Sequence, residues 1–128
     1  MFYSLSLVIP ANTTARVPVR DTLTLTSGVI RRIHCRWWYG VGNLGGVRLK
    51  LHEFGIWPLS AGTWYPSHHE QIATDEEIAV DTDPGELVIE GYNLDTRYAH
   101  TVWIGVEVER ETPLERLVTY LHALLGGG

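Results

Sequence analysis

The sequence predicts an all-β chain: an antiparallel β-sandwich of jelly-roll or Greek-key type with about eight strands, closed by one C-terminal amphipathic α-helix. Three observations carry this prediction. Apolar and polar residues alternate with period two along most of the chain, the mark of strands that bury one face. Glycine, proline, asparagine and aspartate punctuate that alternation at short intervals, as turns require. Only beyond residue 111 does the spacing become helical.

The elements follow in order. Tyr3, Leu5, Leu7 and Ile9 share one strand face and Phe2, Ser4, Ser6 and Val8 the other, until Pro10 stops the pattern. Val17 and Val19 mark a short extended piece, and Leu23 and Leu25 alternate with threonines before a Ser27-Gly28 turn. Ile33, Cys35 and Trp37 alternate with Arg32, His34 and Arg36, which predicts a long strand over Val29 to Tyr39. Val47, Leu49 and Leu51 alternate with Arg48, Lys50 and His52 in the next. Residues 55–75 hold Gly55, Pro58, Gly62 and Pro66 among aromatics and read as a long loop. Ile78 and Val80 mark a short strand, Asp83-Pro84-Gly85 a turn, and Leu87 to Tyr92 a further strand. Val102, Ile104, Val106 and Val108 then share one face of a long strand, opposite Thr101, Trp103, Gly105 and Glu107. Thr112-Pro113-Leu114-Glu115 supplies an N-cap, a first-turn proline and a capping-box glutamate. Leu114, Leu117, Val118, Leu121, Leu124 and Leu125 repeat at helical spacing behind it. Residues 1–111 are thus the sandwich, and residues 112–128 a helix and glycine tail that pack on the same or a neighbouring subunit.

Composition narrows the function. A chain of 128 residues, 45% hydrophobic and 20% charged, has room for one core and is not disordered. No apolar run is long enough to span a membrane, and Met1 to Pro10 lacks the pattern of a signal peptide, so the expected product is made in the cytoplasm, not secreted and not membrane-bound. A net charge of −5 argues against nucleic acid as the main partner. One cysteine, Cys35, excludes an internal disulfide or a multi-cysteine zinc site. Five Trp, six Tyr and nine Arg against a single Lys resemble the chemistry of interfaces.

Motifs for catalysis are weak. Gly40-Val41-Gly42-Asn43-Leu44-Gly45 matches the dinucleotide fingerprint by letter, but a strand pattern follows where the fingerprint needs a helix, so a glycine-rich hairpin loop is expected. Six histidines raise a cupin-like metal enzyme built on His34, His52 or His100, yet no His-x-His occurs, and His68-His69 lies in or beside the predicted loop. Cys35 alternates with Ile33 and Trp37 and reads as a small buried hydrophobe. The acids between Asp75 and Glu90 read as a solvated edge.

Charge is distributed unevenly. Arg31, Arg32, Arg36, Arg48 and Lys50 fall in two strands expected to form a hairpin, and Asp75, Glu76, Glu77, Asp81, Asp83, Glu86 and Glu90 fall later. The two groups either dock between copies or neutralise each other within one chain. Trp37 and Trp38 must face opposite ways in a strand, which exposes at least one. Trp57 and Trp64 either cap the sandwich or contact a partner.

Gly28 to Pro58, a strand pair running into aromatic loops, and Glu90 to Glu109, a late strand pair joined by an Asn/Asp loop, resemble small β-sandwich proteins that decorate or cement the capsids of tailed phages. That resemblance implies a non-enzymatic virion protein without cofactor, which oligomerises, a trimer being favoured, on a shell of major capsid protein. The residues expected at the interface are Trp38, Tyr39, Trp57, Trp64 and Tyr65 as anchors, Arg32, Arg36 and Arg48 for orientation, and Leu117, Val118 and Leu121 on the helix. The alternative from another class is a carbohydrate- or receptor-binding module that uses the exposed rings as sugar platforms.

Overall fold

The computed structural model describes residues 1–38, 40–58, 63–68, 71–110 and 113–125. Alternation becomes strand almost throughout: β1 (Phe2–Ile9), β2 (Val19–Leu25), β3 (Gly28–Trp37), β4 (Gly45–Leu51), β5 (Phe54–Trp57), β6 (Tyr65–Pro66), β7 (Gln71–Val80), β8 (Gly85–Asn93) and β9 (His100–Glu109), then helix α1 (Pro113–Leu124). Sheet A has the order β1-β9-β3-β7, and sheet B the order β2-β8-β4-β5, with β6 also paired to β4. Every pairing is antiparallel.

The pairing has a simple logic. β5 and β6 lie beside different halves of β4, β5 against Leu49–Leu51 and β6 against Gly46 and Val47, so together they occupy one edge position. Counted that way, the first strand pairs with the last, the second with the second-last, and so inward to β4 with β5/β6. One long antiparallel ribbon is rolled into two sheets, which is the jelly-roll arrangement. Rolling adds the β3–β9 and β4–β8 pairs.

The predicted inward faces form the core. Leu7, Ile9, Ile33, Cys35, Trp37, Val102, Ile104, Val106 and Val108 from sheet A meet Leu25, Val47, Leu49, Leu87 and Ile89 from sheet B. β3 shifts register between Ile30 and Arg32. This bulge inserts Arg31, so Ile30 and Ile33, three residues apart, both point inward while Arg31 and Arg32 both stay outside.

Three sequence expectations are corrected. Residues 55–75 are not one long loop but carry β5, β6 and the start of β7, because pairing to β4 and β3 rescues short, glycine-interrupted stretches with no clear period of their own. The short strand at Ile78 and Val80 is the end of the ten-residue β7, whose inward row Ile72, Thr74, Glu76, Ile78 and Val80 mixes polar with apolar. Such a row is tolerated at a sheet edge, where every residue but Val80 keeps some exposure. The two basic strands do not form a hairpin: β3 lies in sheet A and β4 in sheet B. The glycine-rich segment between them therefore crosses from one sheet to the other. It leads into a strand rather than a helix, with Gly40 and Gly42 at φ 89° and 56° where a side chain would be strained.

Candidate functional site

Four strands build the outer face of sheet A, and their register fixes which side chains meet. Across one row, Phe2 on β1, Glu107 on β9, Arg32 on β3 and Asp75 on β7 are neighbours. The next row reads Ser4, Gly105, His34 and Ala73, and the next Ser6, Trp103, Arg36 and Gln71. Val8 and Thr101 follow, and the Trp38 N–H donates to the Thr101 carbonyl at 3.0 Å, so Trp38 extends the same face.

One end of this face is ionic. Arg32 pairs with Asp75 at 2.9 Å and lies 4.0 Å from Glu107, while Arg31, placed by the bulge, pairs with Glu109 at 2.7 Å and Glu77 at 3.5 Å. His34 Nε2 is 3.0 Å from Glu107. The rest of the face, from Phe2 beside the ionic row to Trp38, is aromatic. Gly105 leaves a gap that the rings of Phe2 and Trp103 close over; a Cβ there would stand 2.6 Å from Phe2 and 2.7 Å from Trp103. The two ring centroids are 6.0 Å apart, and His34 packs edge-on to Phe2 at 5.8 Å. Arg36 lies over the Trp38 indole at 5.1 Å and has no carboxylate partner among the described residues. Arg36, Trp38, Gln71 and Trp103 together line a hollow of about 370 Å³. Phe2, Val8 and Trp38 are 53%, 60% and 47% exposed, a density of apolar surface unusual for a freely solvated sheet.

The outer face of sheet B is organised differently, around one buried acid. Glu90 on β8 is bonded by Arg20 from β2 at 2.6 Å and by Arg48 and Lys50 from β4 at 2.8 and 3.0 Å. Burial raises the pKa of this carboxyl, but the hydrogen bonds from Arg20, Lys50 and Arg48 overcome that and bring it down to about 2. Arg48 also lies under the Trp64 indole at 4.0 Å, and Trp64 meets Tyr92 edge-on at 5.0 Å. Tyr92 in turn lies across Gly46, where any Cβ would collide with its ring. A larger hollow of about 640 Å³, lined by Arg20, Thr22, His52, Glu53, Phe54, Glu86 and Val88, adjoins this cluster.

Only some of the expected anchors are exposed. Trp38 is exposed on the aromatic end, with Arg32 and Arg36 on the same face. Trp57 is corrected: it is buried, stacked on Tyr65 with centroids 4.4 Å apart and planes 2° from parallel, and its indole N–H donates to Thr74 at 3.0 Å. Tyr65 is half-buried in the β6–β4 pairing. Trp64 and Arg48 are tied into the Glu90 cluster rather than presented outward. Tyr39 lies outside the described residues. Leu117, Val118 and Leu121 are exposed, so they do not seat α1 on its own sandwich. Trp103 was missed, because its alternation places it outward without saying that Gly105 beside it would let two rings gather.

The charge groups settle toward neutralisation within one chain, in the Arg31, Arg32 and Glu90 pairings. Cys35 is buried and burial raises its thiol to about 12, as suits a core residue. The late loop is structural: the buried Asn93 amide donates to the carbonyls of Ile9 and Tyr98 at 3.2 and 2.9 Å. His100 contacts Asp95 at 2.8 Å, and that carboxyl is held below its usual range by the backbone N–H of Arg97 first, then by His100. His52 is a left-handed turn residue rather than a strand residue, 2.9 Å from Thr82. Among the described residues no three His, Cys, Asp or Glu side chains converge as a metal site, and no helix is long and apolar enough to cross a membrane. Searches of family models and of curated proteins return no match to this chain.

Proposed function

We propose that the protein is a non-enzymatic virion structural component, a capsid decoration or cement protein that binds a capsid lattice as an oligomer. One observation carries the reading: Phe2, Val8, Trp38 and Trp103 sit with Arg32 and Arg36 on one sheet face, the aromatic and arginine composition of an interface centre. The exposed stripe of Leu117, Val118 and Leu121 on α1 adds a second apolar surface. Stabilisation would follow from mass action, since a ligand that binds only assembled subunits shifts the equilibrium toward the shell. The test mixes purified protein with the shells formed by the major capsid protein encoded in the same genome. Co-sedimentation and a higher disassembly temperature, both lost in Trp38→Ala and Trp103→Ala, are expected. A genome without a capsid gene, or shells that leave the protein in the supernatant, would refute it.

A second reading has its own observation. The hollow between Trp38 and Trp103, with Arg36 and Gln71 as hydrogen-bonding groups, suits a sugar ring stacked on indole. Saturable glycan-array signals that disappear in Trp38→Ala, without shell binding, would favour this carbohydrate-binding module.

A further inference from the structure

We infer that the free edge of β1 is a self-pairing surface, through which two copies join their A sheets into one continuous sheet across a two-fold axis. The inference requires no capsid and stands whether or not the lattice reading does.

The backbone supplies the first step. Met1 and Val108 exchange two hydrogen bonds, 2.7 Å from the Met1 nitrogen and 2.8 Å from the Val108 N–H. In an antiparallel ladder such exchanging pairs alternate with non-bonded ones. With Tyr3 opposite Val106, Leu5 opposite Ile104 and Leu7 opposite Val102, the odd residues bond to β9. Phe2, Ser4, Ser6 and Val8 therefore aim their N–H and C=O groups at the open edge, and no intrachain backbone partner takes them among the described residues.

The second step is that, among the described residues, this edge alone is undefended. Exposed edges are normally blunted by charge, proline, brevity or bulges. β7, the other edge of sheet A, carries Asp75, Glu76 and Glu77. In sheet B, β2 carries Arg20 and Asp21 behind Pro18, while the opposite edge is split into the short β5 and β6, with Pro58 and Pro66. β1 runs eight residues, Phe-Tyr-Ser-Leu-Ser-Leu-Val-Ile, without a charge or a proline.

The third step names the occupant. About Leu5 the strand is palindromic in chemistry: Ser4 mirrors Ser6, Tyr3 mirrors Leu7, and Phe2 mirrors Val8. A two-fold axis through Leu5 pairs Ser4 with Ser6 of the second copy and Phe2 with Val8 of the second copy. Each outward residue then donates once and accepts once, in the bonding register that its free groups already have. On the outer face, exposed Phe2 and Val8 cover each other; on the inner face, half-buried Leu5 meets its own counterpart in the closer, non-bonded pairing. No like charges oppose one another. Self-pairing of β7 would instead set its acids against acids. The stoichiometry this edge supports is two rather than the trimer implied by the resemblance.

The test is sedimentation velocity of the full chain from low to high micromolar concentration, with amide hydrogen exchange at both ends of the range. A concentration-dependent species of twice the 14.4 kDa chain mass is expected, with protection at Ser4, Ser6 and Val8 that rises with concentration. Ser4→Pro removes only an N–H that faces the open edge, and should abolish the dimer while the far-UV spectrum stays that of a β protein. Should that variant fail to fold, the double variant Ser4→Lys, Ser6→Lys places lysine opposite lysine across the axis and should do the same. A monomer throughout, a trimer, or a dimer indifferent to these substitutions would overturn the inference.

Discussion

Replacing Glu90 with glutamine probes the keystone of sheet B. The carboxyl is drawn from 4.5 to about 2 by Arg20, Lys50 and Arg48, against the opposing effect of its own burial. A difference of that size between folded and unfolded chains corresponds to ~3 kcal/mol at neutral pH. Because Arg20 is largely solvated, that figure is an upper bound for the interaction itself. Glu90→Gln, however, also leaves Arg48 and Lys50, about three-quarters buried, without their counter-charge, and this cost acts in the same direction. For a domain of this length ~3 kcal/mol is a fall of ~10 °C in Tm. The sign of the pH dependence follows from the depressed pKa. The stabilisation is complete above the unfolded value near 4.5 and is lost as pH falls toward 2. Parallel urea titrations of wild type and Glu90→Gln from pH 7 to pH 2.5 should therefore show a gap that is constant above pH 5 and closes below it. A gap under ~0.5 kcal/mol at pH 7, or one that does not narrow in acid, would refute the reasoning.

The other predictions concern packing. Trp57→Ala, which empties a buried ring site and removes both the stack on Tyr65 and the indole N–H that Thr74 accepts, should cost ~3–5 kcal/mol by denaturant unfolding, whereas Trp38→Ala on the exposed face should cost far less. Cys35, buried and with its thiol raised to about 12, should resist a disulfide reagent at pH 8 in the native protein and react fully once unfolded. Gly105→Ala should displace the Phe2 and Trp103 rings, read as a changed tryptophan emission spectrum with the sheet intact by circular dichroism.

Much of the architecture was legible in the linear text. The faces of β1, β3, β4 and β9 follow from alternation because a strand sends neighbouring side chains to opposite sides whatever lies across from it. The same rule separated buried Trp37 from exposed Trp38 and sealed Cys35 in the core. Alternation failed where neighbours, not the segment, make the strand: β5 and β6 exist through their hydrogen bonds to β4, and the polar inward row of β7 is permitted by its edge position.

What only the tertiary structure decided is which side chain covers which. Alternation directs Glu90 outward, yet it is buried because Arg20, Arg48 and Lys50, distant in sequence, converge on it. Sequence left Trp57 open between capping the sandwich and meeting a partner, and it is buried where β7 offers Thr74 to its indole; Trp103 points outward as its alternation implies, and only Gly105 beside it lets a second ring gather there. Direction is a local property of the strand, while exposure depends on a register set by pairs far apart in the chain. The identity of the surface available to a partner therefore emerges only when the ribbon is rolled.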